Sequence, residues 1–486
     1  MPPHTPPTHP RSATDVASRI VLSLLSLVLP LSAATPAESE WPQWRGPLAN
    51  GVAPKATPPL AWSETQNVKW KVQIPGSGTG TPLIWGQKIF IQTAVPTGKK
   101  VEPPPVPTPK SAAVIRPQIF GQLPPPPPAG GTPPPRGPRG GRPGGGGGRA
   151  EAPSEFYRFN LLALDRATGK VQWEKTLNEV VPHEGHHRDH GYASHSPITD
   201  GQHIWSWFGS RGLHCLDMKG AVLWSKDFGK MKTRAGFGEG NSPALQGNTL
   251  VVNWDHEGTD FIAAFDKSTG RELWRQPREE DTTWTTPLIV NYKDQYQVIV
   301  AATRRVRSYD LSTGKQLWEC GGMTANVIPT PVSDFELVYA ISGFRGASLL
   351  ALKLDGTGDL TDTASVVWKH TKATPYVPSP ILYGERLYFL SGNNAILSAL
   401  NAKTGQPLIT EERLEGVSGV YASPVGAAGR VYFVGRNGTT VVIKDSDTLE
   451  ILATNTLDEK FDASPALAGK DLLLRGQRFL YCLAQP

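Results

Sequence analysis

Histidine is the residue whose spacing first suggests chemistry in this chain. Five of its eleven histidines fall within the thirteen residues from His183 to His195. The stretch includes His183-Glu184-x-x-His187, the pattern with which two histidines on one helix face bind zinc in metalloproteases. Pro182 precedes this pattern and Gly185 interrupts it, and neither residue favours a helix. The sequence therefore predicts a loop here and not a protease helix.

A metal site without protease activity is the better-supported use of these histidines. Neutral imidazoles beside Asp189 or Glu184 suit zinc, copper, nickel or iron, whereas calcium prefers oxygen ligands. The alternative is a loop whose histidines only stack and hydrogen-bond. The candidate ligands of a transition metal are four histidines of this stretch and one from a later loop: His186, His187, His190, His195 and His256.

The elements that must position these residues repeat along the chain. A Ser/Thr-Pro-apolar tripeptide occurs eight times, and the last seven of its prolines, from Pro197 to Pro465, are 46, 44, 44, 49, 44 and 41 residues apart. This period is typical of a four-stranded propeller blade. We therefore predict an all-β fold, an eight-bladed β-propeller of four-stranded antiparallel blades. The tripeptides begin at Thr81, Ser196, Ser242, Thr286, Thr330, Ser379, Ser423 and Ser464.

Four repeats have a second feature, an Asp-x-x-Thr-Gly turn followed by a strand with a tryptophan. It runs from Asp165 to Trp173, from Asp266 to Trp274 and from Asp310 to Trp318, with a shortened copy from Asp217 to Trp224. The Asp can bond backbone amides of the turn, and the Gly can adopt a positive φ. A tryptophan at one fixed place predicts a wedge between neighbouring blades. Sugar stacking on this row of rings is the alternative.

The last repeat lacks its outer strand. After Ser464-Pro465 the chain has room for three strands, at 466–467, 472–475 and 479–483. Residues 68–72, Val-Lys-Trp-Lys-Val, have the pattern of a tryptophan-bearing outer strand with no repeat before it. We predict that this N-terminal strand closes the ring, because closure removes an exposed sheet edge.

The Asp-x-x-Thr-Gly-Lys-x-x-Trp repeat resembles the pyrroloquinoline-quinone (PQQ) repeat of eight-bladed propellers. That repeat occurs in bacterial quinoprotein dehydrogenases and in the outer-membrane lipoprotein of the barrel-assembly machinery. The opening Trp41-Pro-Gln-Trp44-Arg-Gly-Pro47 also resembles the start of secreted PQQ-like repeat proteins. The resemblance covers residues 41–486 apart from one insertion. It implies the fold more strongly than any function, because one fold hosts many functions.

Cysteine usage argues against the better-known functions of that family. The chain has three cysteines, Cys215, Cys320 and Cys482, and no adjacent pair like the one beside the cofactor of quinoprotein alcohol dehydrogenases. It contains no Cys-x-x-Cys-His for covalent haem attachment. No cysteine lies near the predicted signal cleavage site, where a lipoprotein would carry one.

The unusual polar residues fall in two sets of loops. With strands lettered A to D outward from the axis, the D–A and B–C loops of a propeller share one face. The other connections are plain turns such as Asp200-Gly201. We predict a polar-ligand site on the D–A/B–C face, although the arginines could instead bond only carbonyls of neighbouring blades. The candidate residues are Arg211, Glu239, Asn241, Trp284, Asn326, Arg345, Tyr376, Tyr421, Arg436 and Asp462.

The positive net charge does not describe the propeller body. Between Lys99 and Arg149 the chain has eight basic residues and one acidic residue, a net +7 against +6 for the whole chain. The body is therefore close to neutral, so a nucleic-acid groove is not expected. We expect a monomer.

The chain divides into four predicted segments. Residues 1–34 have the pattern of a cleaved signal peptide, in which basic residues precede an apolar run too short to span a bilayer. This predicts a periplasmic or extracellular protein without a membrane span. Residues 41–93 hold the N-terminal segment, the closing strand and the start of blade 1. A Pro/Gly-rich insertion expected to be disordered occupies 94–155, and the remaining blades occupy 156–486.

The leading functional interpretation is a secreted propeller that binds a ligand or protein partner through its D–A/B–C face without catalysis. The alternative is a quinoprotein-like oxidoreductase that uses PQQ or a histidine-bound metal. PQQ would then lie on Trp284 or another ring, with Glu239 or Asp462 as the catalytic base.

Overall fold

The described residues form eight antiparallel sheets, which are the blades of a propeller. The structure is a computed structural model and describes residues 38–101 and 151–485. The predicted all-β, eight-bladed fold is confirmed. Within these ranges there is no α-helix, and 3₁₀ turns occur at Gly209–Arg211 and Arg234–Gly236.

Each blade is ordered from strand A at the axis to strand D at the rim. In blades 1 to 4 the strands are Leu83–Trp85, Lys88–Lys100, Glu155–Asp165 and Val171–Val180; Ile198–Thr199, His203–Trp207, Leu213–Asp217 and Val222–Lys226; Ala244–Gln246, Thr249–Trp254, Asp260–Asp266 and Glu272–Arg278; and Leu288–Tyr292, Gln295–Ala301, Val306–Asp310 and Gln316–Cys320. A short fifth strand of blade 4, Gly358–Asp359, lies parallel to its strand D.

Blades 5 to 8 have the same order. Their strands are Val332–Asp334, Leu337–Ser342, Ser348–Lys353 and Val366–His370; Ile381–Tyr383, Arg386–Leu390, Ile396–Asn401 and Pro407–Arg413; Val425–Ala427, Arg430–Val434, Thr439–Lys444 and Ile451–Thr456; and Ala466–Ala468, Asp471–Arg475, Phe479–Leu483 and Val68–Gln73.

The ring is closed by the N-terminal strand, as predicted. Val68–Gln73 pairs antiparallel with Phe479–Leu483, with Trp70 opposite Cys482 and Val72 opposite Leu480. The outer strand of blade 8 therefore comes from the opposite end of the chain, and blade 8 has the same four strands as its neighbours.

The core lies between the blades. Inner strands are covered by neighbouring blades on both faces, so they need near-continuous apolar runs. In blade 1, residues 159–164 of strand C are all fully buried. Strand D of the same blade, Val171–Val180, has no buried residue, because it forms the rim.

The Asp-x-x-Thr-Gly turns are built as predicted. Asp310 Oδ1 accepts hydrogen bonds from the backbone N–H and the hydroxyl of Thr313, both at 2.8 Å. Gly314 has a φ of +73°, which a glycine adopts without steric cost.

The repeated tryptophans lie between blades, which confirms the wedge prediction. The ring of Trp368 in blade 5 lies against Gly405 in the turn of blade 6, and its Nε1 donates a hydrogen bond to the Ala402 carbonyl at 3.0 Å. A Cβ on Gly405 would lie 2.8 Å from the indole ring. The same contact joins other blades through Trp70 and Gly169, Trp173 and Gly220, Trp224 and Gly270, and Trp274 and Gly314.

Strand B of blade 1 runs further than predicted. It pairs with strand C as far as Lys100 opposite Glu155, with an irregular register between Pro96 and Lys100 that accommodates Pro96 and Gly98. Residues 94–100, assigned above to the insertion, therefore belong to the blade. The rest of the Pro/Gly-rich segment, 102–150, and the predicted signal peptide lie outside the described residues.

Across the described ranges, no helix combines the length and the apolar character that crossing a membrane requires.

Candidate functional site

A cavity lies on the propeller axis, on the face formed by the D–A and B–C loops. Its volume is about 350 Å³, near the lower end of the usual range for small-molecule sites. Within the part of the chain that the structure describes, no lysine or arginine lines it. The rim carries His187, Asp189, His190 and Asp462. The walls are formed mainly by Phe237, Trp284, Ile328, Phe344, Tyr376, Val377 and Tyr421.

The Ser/Thr residues of the eight tripeptides, here called the hydroxyl ring, surround the axis, and six of them form the base of the cavity. All but Ser464 donate their backbone N–H to the hydroxyl of the next member, in the order Thr81, Ser196, Ser242, Thr286, Thr330, Ser379, Ser423 and Ser464. The Thr81 hydroxyl donates to the Ser464 carbonyl at 3.3 Å and completes the ring.

The hydroxyl ring explains why the tripeptide repeats. At the axis the chain needs a partner for the Ser/Thr N–H, and the hydroxyl of the next blade supplies it. The following proline has no N–H that would need a partner. Six members of the ring line the cavity: Ser242, Thr286, Thr330, Ser379, Ser423 and Ser464.

Residues 41–53, here called the axial plug, place Trp44 at the floor of the cavity. Trp41 bridges antiparallel to Ile84 of blade 1, and Val52 bridges parallel to Gly426 of blade 7. Between these contacts Trp44 lines the cavity and donates its Nε1 hydrogen to the Thr330 hydroxyl at 3.1 Å. The motif Trp41–Pro47, which the sequence showed only as a family resemblance, thus supplies the cavity floor.

Arg45 attaches the axial plug to two blades. Its guanidinium donates to the carbonyls of Pro380 and Pro424, each at 2.6 Å, and the residue is 1% exposed. Burial lowers its pKa to about 9, so it remains a cation at neutral pH. Because both prolines belong to the repeated tripeptides, the plug is fixed to the residues that directly follow Ser379 and Ser423 of the hydroxyl ring.

Charged groups at the rim are paired with one another. Arg436 donates to Asp189 at 2.8 Å and also to Asp462, and it lies over the Tyr421 ring at 3.9 Å. The Arg436 guanidinium holds the pKa of Asp189 below its usual value. Lys460 lies 3.9 Å from both carboxylates. The pairing fixes the histidine-rich loop before blade 2 to blade 7, 247 residues away in the chain.

As predicted, the zinc-protease pattern lies in a loop and not on a helix. His183 Nε2 lies 2.6 Å from the Met231 carbonyl, whereas His187 is exposed and packs edge-on against Phe237. The two histidines of the pattern therefore contact different parts of the next blade and form no pair.

The five candidate metal ligands do not converge. His186 Nδ1 lies 2.8 Å from the His187 carbonyl, and His256 Nδ1 accepts from the Lys232 N–H at 3.2 Å. His195 is 1% exposed and packs edge-on against Trp207. Among the described residues no three His, Cys, Asp or Glu side chains are placed to hold a metal ion. We therefore do not retain His186, His187, His190, His195 and His256 as one ligand set.

His190 is the rim histidine most affected by burial. Its Nδ1 is buried and has no hydrogen-bond partner within the described ranges. Burial first, and then the neighbouring His186 and His187, lower its pKa to about 3. The imidazole is therefore neutral at physiological pH.

Four of the ten predicted ligand residues line the cavity, namely Trp284, Tyr376, Tyr421 and Asp462. Arg436 does not line it but holds Asp462 in place. The other predictions are not supported by position: Asn326 and Arg345 have positive φ in loops and do not line the cavity.

Three further candidates form an ion pair or hydrogen bonds inside the blades. Arg211 and Glu239 form a buried ion pair at 2.6 Å. Asn241 accepts from the Trp207 indole and donates to the Asn253 carbonyl. Their polar atoms therefore serve local structure, since buried polar groups need partners.

The sequence analysis missed Trp44, Phe237, Phe344 and the hydroxyl ring as parts of the site, and it considered Asp189 only as a partner of the histidines in a metal site. The available signal was the tripeptide itself, because a hydroxyl at one place in all eight repeats is more than a strand start requires. Nothing comparable marks Phe344, since a single aromatic residue in a B–C loop has many structural uses.

A family model described as "Outer membrane protein assembly factor BamB" matches residues 157–343 and 262–482. Among solved structures, a europium-containing methanol dehydrogenase has a TM-score of 0.57 at 10% identity, over 92% of this chain and 99% of that chain. The quinohemoprotein alcohol dehydrogenase of Comamonas testosteroni has a TM-score of 0.56 at 9% identity, over 93% and 81%. BamB from Moraxella catarrhalis has a TM-score of 0.48 at 14% identity, over 69% and 92%. No curated protein matches the chain. The two dehydrogenases share the fold.

Proposed function

We infer that this chain, which belongs to the PQQ-like propeller family described as outer membrane protein assembly factor BamB, is a non-catalytic binding protein. It takes a small uncharged ligand into the axial cavity from the D–A/B–C face. The observation that carries this proposal is the blind cavity itself, with Trp44 as floor, aromatic walls and a rim whose charges are already paired. The predicted signal peptide supports a periplasmic or extracellular location.

The residues present do not fit PQQ. PQQ carries three carboxylates, which need cationic partners in a site closed to water. The cavity presents Asp189 and Asp462, and no lysine or arginine of the described chain lines it. The nearby Arg436 is already paired with both carboxylates. We therefore derive no redox step through PQQ.

The two candidate bases also lack support in their positions. Glu239 is bonded to Arg211 and does not line the cavity, and Asp462 is bonded to Arg436. A general base must lie within reach of the proton that it removes, and of the two only Asp462 lines the cavity, where it is ion-paired with Arg436. Non-catalytic binding therefore has the better support.

Occlusion of the cavity tests the proposal. Val377 lies in the wall and is half-buried, so Val377→Trp would fill the space, whereas Leu223→Trp places the same side chain on an exposed outer strand. We expect saturation-transfer NMR to detect neutral probes, benzyl alcohol and neutral monosaccharides, on the wild type and on Leu223→Trp. The signal should be lost in Val377→Trp.

Three results would contradict the proposal. A probe signal that Val377→Trp leaves unchanged, or an absence of any probe signal on the wild type, is inconsistent with binding in the axial cavity. The third is stoichiometric binding of PQQ with calcium, followed by quinone absorbance and blocked by Val377→Trp, which would support the oxidoreductase alternative.

A further inference from the structure

We propose that the ligand of the axial cavity is a saccharide, whose oxygen atoms face the hydroxyl ring while its apolar C–H face packs on the aromatic wall. This inference rests on the proposed function and names its ligand class. Three properties of the cavity carry it: uncommitted O–H donors at the base, preset aromatic faces in the wall, and the absence of a lining cation within the described residues.

The first property is the number of hydroxyl donors in the ring that make no hydrogen bond. A Ser or Thr hydroxyl can donate one hydrogen bond and accept two. Each cavity-lining member accepts the N–H of the member before it in the ring, and Thr330 also accepts from Trp44. Within the described ranges none of these six hydroxyls donates. Six O–H donors therefore remain around one cavity, at residues that are only 2% to 6% exposed.

Uncommitted donors at a buried base indicate the kind of ligand atom that belongs there. A buried polar hydrogen without a partner is unfavourable, so the site calls for acceptor oxygens. Several donors around one axis suit a ligand with several acceptors on one side. A hydrocarbon ligand would leave all of them unsatisfied.

The second property is the orientation of the aromatic wall. Phe344 and Tyr376 are stacked with centroids 4.7 Å apart, and the Trp284 indole is held by a hydrogen bond to the Gly238 carbonyl at 2.7 Å. Aromatic faces are electron-rich and attract polarised C–H groups. A sugar ring presents such C–H groups on one face and hydroxyls around its edge, so a single ligand can satisfy both the wall and the base.

The third property is charge. The carboxylates of Asp189 and Asp462 stand at the rim, and the His190 imidazole is neutral at physiological pH. With no lining lysine or arginine in the described chain, a phosphorylated or uronic-acid sugar would find carboxylates and no cation in the lining. The oxygens of Asp189 and Asp462 can instead accept hydrogen bonds from sugar hydroxyls. A cavity of about 350 Å³ suits a short neutral saccharide.

The hydroxyl ring provides its own matched control. Thr286 and Ser196 occupy equivalent places, since each accepts the N–H of the preceding member at 2.9 Å. Thr286 lines the cavity and Ser196 does not. Thr286→Val and Ser196→Ala therefore each remove one equivalent bond of the ring, but only Thr286→Val removes a donor from the cavity.

The test is calorimetric titration of the full-length protein with glucose, galactose, N-acetylglucosamine and cellobiose. We expect at least one to bind, with glucose 6-phosphate and glucuronate binding at least about 10-fold more weakly. Thr286→Val and Ser423→Ala should each weaken binding about 5- to 10-fold, the effect of one lost hydrogen bond. Ser196→Ala should bind as the wild type does. Thermal melting identifies any variant that fails to fold, and the second cavity variant then replaces it.

Each other outcome is informative. Binding of benzyl alcohol without any saccharide would overturn the saccharide class and leave the proposed function standing. Binding of neither probe to the wild type would overturn both. An equal loss of affinity in Ser196→Ala and Thr286→Val would show that the hydroxyls act only through the ring, which contradicts a direct contact with the sugar.

Discussion

The indole Nε1 of Trp44 lies 3.1 Å from the Thr330 hydroxyl, although 286 residues separate the two in the chain. Trp44 belongs to the axial plug and Thr330 to the tripeptide that begins blade 5. One hydrogen bond therefore links the axial plug to the hydroxyl ring. The shape of the cavity depends on the N-terminal segment as well as on the blades.

Two substitutions of Trp44 should distinguish the contribution of its hydrogen bond from that of its ring packing. Trp44→Phe keeps an aromatic ring but loses the N–H donor, so we expect the free energy of unfolding to fall by about 1 kcal/mol. Trp44→Ala also removes a half-buried ring, and we expect a loss of about 2–3 kcal/mol. Urea unfolding measures both. Equal stability of Trp44→Ala and wild type would show that the axial plug does not pack against the blades through Trp44.

The contact between blades predicts a large difference between two glycine substitutions. Gly405→Ala puts a Cβ 2.8 Å from Trp368 and strains a positive φ, so a loss of about 3 kcal/mol in unfolding free energy is expected. Gly247 also has a positive φ, but a Cβ added there would meet no atom within 4 Å, so Gly247→Ala should cost about 1 kcal/mol. Similar losses in chemical denaturation would mean that the tryptophan does not wedge the blades.

Two deletions distinguish the axial plug from the closing strand. Without residues 41–56 the blades keep all their strands, so we expect a folded protein with a lower melting temperature. Without residues 41–75 the edge of Phe479–Leu483 is unpaired, and we expect aggregation or unfolding. Size-exclusion chromatography and circular dichroism report both outcomes. If the longer deletion melted like the full chain, ring closure by Val68–Gln73 would be wrong.

Acid should destabilise the protein partly through His190. Burial lowers its folded pKa to about 3 from 6.5, so between these values the unfolded chain binds more protons and stability falls as the pH falls. At 1.36 kcal/mol per pKa unit, the expected loss over this window is at most about 5 kcal/mol. His190→Gln should remove that part of the pH dependence in urea unfolding, whereas His187→Gln, at an exposed site on the same loop, should not.

Asp260 acts in the opposite direction, which is why the comparison with His190→Gln matters. Burial raises the pKa of Asp260 to about 6, so its protonation favours the folded state as the pH falls below this value. The wild-type profile contains both effects. If His190→Gln and wild type show parallel profiles between pH 6.5 and pH 4, His190 is not a buried neutral base.

Removal of residues 102–150 should leave the propeller intact. The two strands that flank this segment already pair at Lys100 and Glu155, and the Val101 N–H donates to the Ser154 carbonyl at 2.9 Å. Loop closure changes by only about 0.6 kcal/mol per doubling of length. A short Gly-rich turn in its place should keep the melting temperature within about 2 °C. A large drop in scanning calorimetry would show that the segment packs on the blades.

The sequence by itself determined the architecture. The tripeptide period predicted eight blades, residues 68–72 predicted the closing strand, and tryptophans such as Trp274 were correctly placed between blades. These inferences succeeded because each repeat folds by the same local rules, so one pattern is observed many times. The predicted start of the insertion at residue 94 was wrong, since Lys88–Lys100 continues as a strand through Pro96 and Gly98, where side chains of Thr97 and Glu155 support the pairing.

Only the tertiary structure decided which polar residues face the cavity. Arg211 and Glu239 looked like ligand-binding residues, yet they satisfy each other in a buried pair at 2.6 Å. Asp189 and Arg436 meet at the rim from distant parts of the chain, and Trp44 reaches Thr330 across the axis. A side chain's role at the axis depends on partners supplied by other blades, and a pattern within one repeat carries no record of those partners.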